Sequence, residues 1–296
     1  MRAGVIGIGD MGSGLAKNLM KSGFETAGWD IAEKRMQAFA ESGGYACENS
    51  AQVGQYADAV FVMVMNGDQV NDVLFGENGL VSTLKEGSAI ILSATIKPSE
   101  AQVLGEKLKS TKLHLIDTPV SGGFPGAQNG TLTMMAAAKD EVLQKFWPVM
   151  DAVSANIHHV GTDAGVGQTV KACLQSLIGS MFSATFEAAV LAAKAGVSGQ
   201  VLYDVVSTSS ASCGIANNAL EKIIDRQFEG TGSHISTMHK DLTISLDLAQ
   251  DLGVPMHTAA AAMQLFHAGK TKHPDGDNWV VTRVIEDIVG AELHRD

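Results

Sequence analysis

Cysteine is scarce in this sequence. Cys47, Cys173 and Cys213 are its three thiols, an odd number with no CxxC pair. That excludes a disulfide-framed scaffold and a thiolate metal knuckle, and it reads as reduced thiols in a reducing compartment. Positive charge is also short: 21 Lys and Arg stand against 32 Asp and Glu, a net charge of −11. Without a basic footprint for a phosphate backbone, no nucleic-acid partner is expected. The acidic excess favours solubility and names no partner. Nine histidines are present, but none has the HxxxH or HExxH spacing that puts two ligands on one helix face. His158 and His159 are adjacent and would point to opposite sides of a strand. No metal is therefore expected. There is no GxSxG elbow for a serine hydrolase, no internal repeat and no low-complexity segment. No apolar run is read as long enough to span a bilayer, and the chain starts on a strand and a glycine loop. No membrane association and a cytoplasmic location are the expectations.

What is present is an ordinary globular composition over 296 residues, 45% hydrophobic and 18% charged. That length accommodates two domains with sizeable cores. The first half alternates strand-like and helix-like segments. Strands are expected at Arg2–Ile8, Thr26–Trp29, Ala59–Met65, Ala89–Leu92 and His114–Ile116, and helices at Gly12–Ser22, Ala32–Ser42 and Pro98–Leu108. The run Ala59–Met65 is continuously apolar, as suits a strand covered on both faces. Such alternation predicts an α/β, doubly wound parallel sheet of the Rossmann type. Beyond residue 160 the pattern becomes helical. Thr169–Ala195 has no proline and ends before Gly196; a helix of that length spans roughly 40 Å and serves as a long interdomain helix. Further helices are expected at Gln200–Ser207, Ile215–Arg226, Ile235–Gly253 and Thr258–Ala268, forming an all-α bundle. The boundary is placed in the turn Gly161–Gly167. This gives an α/β domain over 1–162 and an all-helical domain over 163–296. The charged stretch Gly269–Asp277 reads as a solvated loop.

The sharpest motif is Gly7-Ile8-Gly9-Asp10-Met11-Gly12, between a strand and a helix. Gly7 permits the tight turn, Gly9 clears the backbone for a pyrophosphate, and Gly12 lets the helix pack on the strand. The phosphate then lies at the positive end of the helix. Asp30 ends the second strand, 18 residues after Gly12, where a carboxylate accepts hydrogen bonds from ribose hydroxyls and repels a 2′-phosphate. NAD is expected over NADP, with Lys34 and Arg35 close enough to soften that preference. Asp117-Thr-Pro-Val-Ser121-Gly122-Gly123 follows another strand; its glycine N–H groups and serine hydroxyl suit a carboxylate. Lys171 lies near the start of the long helix in weakly polar surroundings. An ammonium there is costly to bury, which favours the neutral amine that accepts an alcohol proton.

Taken together, GIGDMGSGLAKNL at 7–19, DTPVSGGFPGAQNGTL at 117–132, a GxGxxxK ending at Lys171, and Lys240-Asp241-Leu242 occur in the order of the β-hydroxyacid dehydrogenase family, which the chain resembles over essentially its whole length. The resemblance implies a soluble enzyme that oxidises a small β-hydroxy or polyhydroxy acid, or reduces the matching oxo acid. It implies Lys171 as the catalytic lysine, Ser121, Gly122 and Gly123 on the substrate carboxylate, and Lys240 beside both nicotinamide and substrate. Thr95 matches a threonine near the cofactor ribose, and Met65 and Asn66 match the adenosine side. The chain departs from the family pattern in two places. Leu174 stands where Asn is common, with Gln175 next to it as a substrate-orienting amide, and Ala94 precedes Thr95 where serine is common. The loop Ser210–Gly214, with Ser212, falls where members differ in substrate contacts, and its small side chains leave room beyond a three-carbon acid. The 169–250 region looks most like threonate-type members. 3-Hydroxyisobutyrate and the tartronate and succinic semialdehydes stay open as substrates. A non-enzymatic dinucleotide-binding module is disfavoured because such relatives lack the lysine. The apolar long helix predicts a homodimer or homotetramer, since an all-round apolar helix needs cover.

Overall fold

The computed structural model describes all 296 residues. The chain packs as two compact units, Met1–Lys171 and Ala172–Asp296. In chain order the first contains β1 (Ala3–Ile6), α1 (Asp10–Lys21), β2 (Thr26–Trp29), α2 (Glu33–Glu41), β3 (Tyr45–Ala46), α3 (Ser50–Tyr56), β4 (Ala59–Val62) and α4 (Gly67–Phe75). It continues through β5 (Ala89–Leu92), α5 (Pro98–Leu108), β6 (His114–Asp117), β7 (Val120–Ser121), α6 (Gly123–Asn129), β8 (Leu132–Ala137), α7 (Asp140–Asp151) and β9 (Ser154–Gly161). Helix α8 (Val166–Lys194) starts in this unit and runs into the next.

The sheet order is β3-β2-β1-β4-β5-β6-β8-β7, with β9 paired to β8. Strands β3 to β6 are mutually parallel, while β8 runs antiparallel to β6 and β7. The order reverses at β1, which lies between β2 and β4, and doubly wound sheets bind ligands beyond the carboxyl ends of the strands at such a point. Strand alternation divides the apolar residues between two cores. Val5, Phe61, Ile91 and Ile116 join a cluster with Leu15, Leu19 and Phe146. Ile6, Val60, Val62, Ile90 and Leu92 join another with Val53, Leu74 and Leu104. The apolar runs are therefore covered on both faces, as a parallel sheet requires.

The second unit continues with α9 (Gly199–Thr208), α10 (Gly214–Ile224), α11 (Ile235–Leu252), α12 (His257–Lys272) and α13 (Val281–Val289). Its core groups Phe182, Phe186, Phe266 and Trp279 with Leu220, Ile235 and Leu242. Two expectations change here. Helix α8 is by length and composition apolar enough to cross a membrane, with a mean hydropathy of 1.4 over its best window; the sequence reading had found no such run. Its faces are unlike one another, however: Lys171, Gln175, Phe182 and Phe186 are buried, while Val170, Leu177 and Leu191 are exposed. The second correction concerns Gly269–Asp277. Helix α12 extends through Lys272, and Asp277 is fully buried. Its carboxylate accepts hydrogen bonds from Thr231 N and Oγ1, both at 2.7 Å, and from Ser233 N at 3.1 Å. A carboxylate satisfied in this way ties two loops together, so Asp277 is a fastening and does not belong to a solvated tip.

Candidate active site

The dinucleotide motif forms the turn between β1 and α1. Gly7 has φ +89°, and a Cβ there would collide with Met63 O. A Cβ on Gly12 would overlap Gly7 O. Gly9 differs: its nearest neighbour would be the Arg35 guanidinium at 3.7 Å, so the backbone at Gly9 faces open space. Two glycines close the turn and the third leaves room, which is what a pyrophosphate at this helix start needs. The residues present fit a dinucleotide.

Asp30 follows β2 with its side chain almost wholly buried. Its Oδ2 accepts from Ile8 N and its Oδ1 from Ala32 N, each at 2.8 Å, and Arg35 Nη1 lies 3.5 Å from Oδ2. The acid assigned to the ribose thus also anchors the glycine turn. Asp10 and Met11 open α1, Met11 packing against the core. Asn66 caps α4 by accepting from Gln69 N at 2.9 Å, and Met65 before it is half exposed. Thr95 sits between β5 and α5. These residues all follow the carboxyl ends of β1, β2, β4 and β5, so the parallel sheet gathers them along one edge.

The carboxylate loop lies between β6 and α6. Gly122 and Gly123 have φ +131° and +59°, a region that favours glycine, and Ser121 ends β7. Lys171 is buried, 6% exposed, and its Nζ donates to Val120 O at 2.8 Å, one residue before Ser121. The structure thereby places the candidate proton-transfer amine against the candidate carboxylate loop, two features 50 residues apart in sequence.

In the helical unit, Gln175 and Lys240 meet on Asp241, which is 3% exposed. Gln175 Nε2 donates to Asp241 Oδ2, and Lys240 Nζ lies 3.1 Å from Oδ1. A carboxylate accepts only, so the amide nitrogen of Gln175 must face it, leaving Oε1 as an acceptor. Ser212 sits in the exposed loop between α9 and α10, its Oγ accepting from Asn217 Nδ2 at 3.0 Å. Cys213 in the same loop caps α10. No group of three or more His, Cys, Asp or Glu is placed to hold a metal. Sequence reasoning missed Asp117, Gln168 and Asp241, although each lies inside a motif it singled out. Nothing local marks them, because their partners are distant in sequence.

Residues 2–161 match the family described as the NAD binding domain of 6-phosphogluconate dehydrogenase. Residues 165–285 match that described as NAD-binding of NADP-dependent 3-hydroxyisobutyrate dehydrogenase. L-threonate dehydrogenase of Escherichia coli K12 is 35% identical over 279 residues, 92% of this chain and 91% of that one. 2-(Hydroxymethyl)glutarate dehydrogenase of Eubacterium barkeri is 32% identical over 295 residues, 99% and 97% of the two chains. The crystal structure of 3-hydroxyisobutyrate dehydrogenase from Salmonella typhimurium superposes with a TM-score of 0.89 at 30% identity, covering 96% of this chain and 99% of that one. With its two domain types matched in order and its lysine and glycine loops in place, the chain belongs to the 3-hydroxyisobutyrate dehydrogenase family of NAD(P)-dependent β-hydroxyacid dehydrogenases, oxidoreductases acting on CH–OH groups.

Proposed function

We propose that this enzyme oxidises a small polyhydroxy acid with NAD, a four-carbon acid of the threonate type being favoured. The observation that carries the reading is the buried Lys171 amine, whose Nζ donates to Val120 O beside Ser121. The dinucleotide, when bound, supplies the hydride acceptor. Ser121 and the N–H groups of Gly122 and Gly123 hold the substrate carboxylate. Lys171 takes the proton from the reacting hydroxyl, or returns it in reduction. Lys240 and the Oε1 of Gln175, both set by Asp241, orient the substrate. An acceptor at Gln175 suits a further substrate hydroxyl better than the methyl of 3-hydroxyisobutyrate, since a polar site rejects analogues that leave it unpaired. Ser212 belongs to the loop that the family resemblance assigns to substrate variation.

NAD is favoured over NADP because an acid, Asp30, follows β2 where it would repel a 2′-phosphate, and Arg35, 3.5 Å from its Oδ2, moderates the preference. Changing Asp30 to Asn is expected to raise the NADP⁺/NAD⁺ ratio of kcat/KM by about tenfold. The exposed apolar face of α8, with Val170, Leu177 and Leu191, supports a homodimer or homotetramer; light scattering tests it, a monomer overturning it. The three thiols are free, which supports a cytoplasmic location.

The function is tested by following the absorbance of the reduced dinucleotide with NAD⁺ and NADP⁺ in parallel. The panel is L-threonate, erythronate, 3-hydroxyisobutyrate, glycerate, 4-hydroxybutyrate and phenylserine. Fastest NAD⁺-linked turnover of L-threonate or erythronate is the expected result. Preference for 3-hydroxyisobutyrate overturns the polyhydroxy reading and favours the 3-hydroxyisobutyrate activity named for the Salmonella structure.

A further inference from the structure

Asp117 is fully buried, Gln168 is 1% exposed, and no role described so far uses either. Asp117 is the last residue of β6 and the first of the strand-end loop that leads to Ser121. Its Oδ2 accepts from Gly165 N at 2.8 Å and Gln168 N at 3.3 Å, the amides that open α8. Its Oδ1 accepts from Gln168 Nε2 at 2.9 Å. The other contacts of Gln168 go elsewhere: Nε2 also donates to Ala94 O at 3.1 Å, and Oε1 accepts from Ile96 N at 3.1 Å. These two backbone groups flank Thr95. One turn of helix beyond Gln168, Lys171 Nζ donates to Val120 O. The first turn of α8 thus fastens the Ser121 loop at both ends, by Asp117 and by Val120, and it fastens the Thr95 loop through Gln168. Gly167 permits the approach: a Cβ there would come within 2.6 Å of the carbonyl oxygens of both Asp117 and Met135.

We infer that Asp117 and Gln168 form a positioning pair that sets Lys171 against the Ser121 loop and couples this alignment to the Thr95 loop. The physical reason is that a lysine carries many rotatable bonds, and a proton acceptor is effective only within hydrogen-bond reach of the reacting hydroxyl. Burying a carboxylate with no cation on it is costly. Burial pushes the Asp117 carboxyl up, and the hydrogen bonds from Gln168 and Gly165 pull it back. A fold that needed only a helix start could use a serine or a threonine there. An acid and an amide that together satisfy four backbone groups, and so join the end of β6, the start of α8 and the Thr95 loop, hold those segments in one arrangement.

The inference rests on Lys171 as the proton-transfer residue, and the experiment separates the two. Asp117→Asn, Gln168→Glu and the double variant are compared with Lys171→Ala. Turnover is measured with L-threonate, or with the panel acid that turns over fastest, well below each variant's Tm so that only folded protein is read. Gln168→Glu sets two carboxylates against each other, and Asp117→Asn removes the acceptor opposite Gln168 Nε2. Each single variant is expected to lose kcat by about tenfold or more. The double variant restores an amide–carboxylate pair with its polarity reversed but leaves Ala94 O without its donor, so it is expected to recover part of that loss. Hydrogen–deuterium exchange on the dinucleotide-free protein gives a second readout. Residues 93–96 and 118–123 are expected to exchange faster in the single variants, while β1 and β4 stay as protected as before. Should a single variant fail to fold, Gln168→Met supplies the same comparison. Folded single variants with the parent's kcat, or a double variant no better than the singles, overturn the inference. An active Lys171→Ala overturns the proposed function instead.

Discussion

The two units satisfy their buried acids differently. In the sheet unit, Asp30 and Asp117 sit at strand ends and lean chiefly on backbone N–H groups: Ile8 and Ala32 for one, Gly165 and Gln168 for the other. In the helical unit, Glu286 is held by Arg226 through bonds of 2.6 and 2.9 Å, and Asp241 is held by Lys240 and Gln175. The contrast follows from the architecture. Strand ends and helix starts leave unpaired N–H groups that point at ligands and carboxylates alike. The interior of a helix has none to offer, so a buried acid there needs a side-chain partner. Asp277 marks the limit of the rule, because it lies in a loop and takes backbone donors as the strand-end acids do. The sheet unit therefore offers main-chain donors to an anion, whereas the buried acids of the helical bundle are paired chiefly by side chains.

Five outcomes would break or sharpen this contrast. Lys171→Ala should lower kcat by about 10³-fold while leaving dinucleotide affinity, read by fluorescence titration, close to the parent's. Glu286→Ala leaves the largely buried Arg226 without its main partner and should cost about 3 kcal/mol in denaturant unfolding; a neutral result would remove the case for side-chain ion pairing in the bundle. Two glycines of one loop should separate folding from binding. Gly12→Ala forces a methyl onto Gly7 O and should cost about 2 kcal/mol of stability. Gly9→Ala meets only a mobile guanidinium and should raise the KM for NAD⁺ with Tm little changed.

The fourth outcome concerns pH. His239 and His267 share a 2.8 Å hydrogen bond between α11 and α12. Burial first, then Lys270 and His267, hold His239 below its usual 6.5. The folded chain then binds fewer protons than the unfolded one between the depressed value and 6.5. Stability is complete above that window and is lost as pH falls through it. His239→Gln should flatten the acid side of the Tm–pH curve. The smallest effect is chemical: burial pushes the Cys47 thiol up to about 11, so it should resist alkylation at neutral pH until the chain unfolds.

How much of this was legible depends on range. The glycine loop and the acid after β2 are read from spacing, because their chemistry is local to one turn, whereas the proton-transfer role expected of Lys171 rests on the order of motifs shared with the family. Thr26–Trp29, Ala89–Leu92 and Pro98–Leu108 match the observed elements end to end. Helix α7, with Pro148 inside it, and the strands β8 and β9 were not anticipated. Helix α7 does carry an apolar period, at Val142, Leu143, Phe146, Val149 and Met150, interrupted in composition by Pro148, while β8 and β9 show no strict alternation of buried and exposed residues. The site shows the same division. Gln175 was read as an orienting amide, but the direction of that amide comes from Asp241, 66 residues away.

The sequence by itself determined the fold class, the dinucleotide turn and the chemical type of each reacting group, since apolar period, glycine placement and residue chemistry act over a few neighbours. Only the tertiary structure decided which groups are held and by what. It set Asp30 as an anchor of the glycine turn, Asp117 and Gln168 as a clamp on α8, and Asp277 as a buried fastening. A carboxylate's role follows from the donors that surround it, and those donors are brought together by folding.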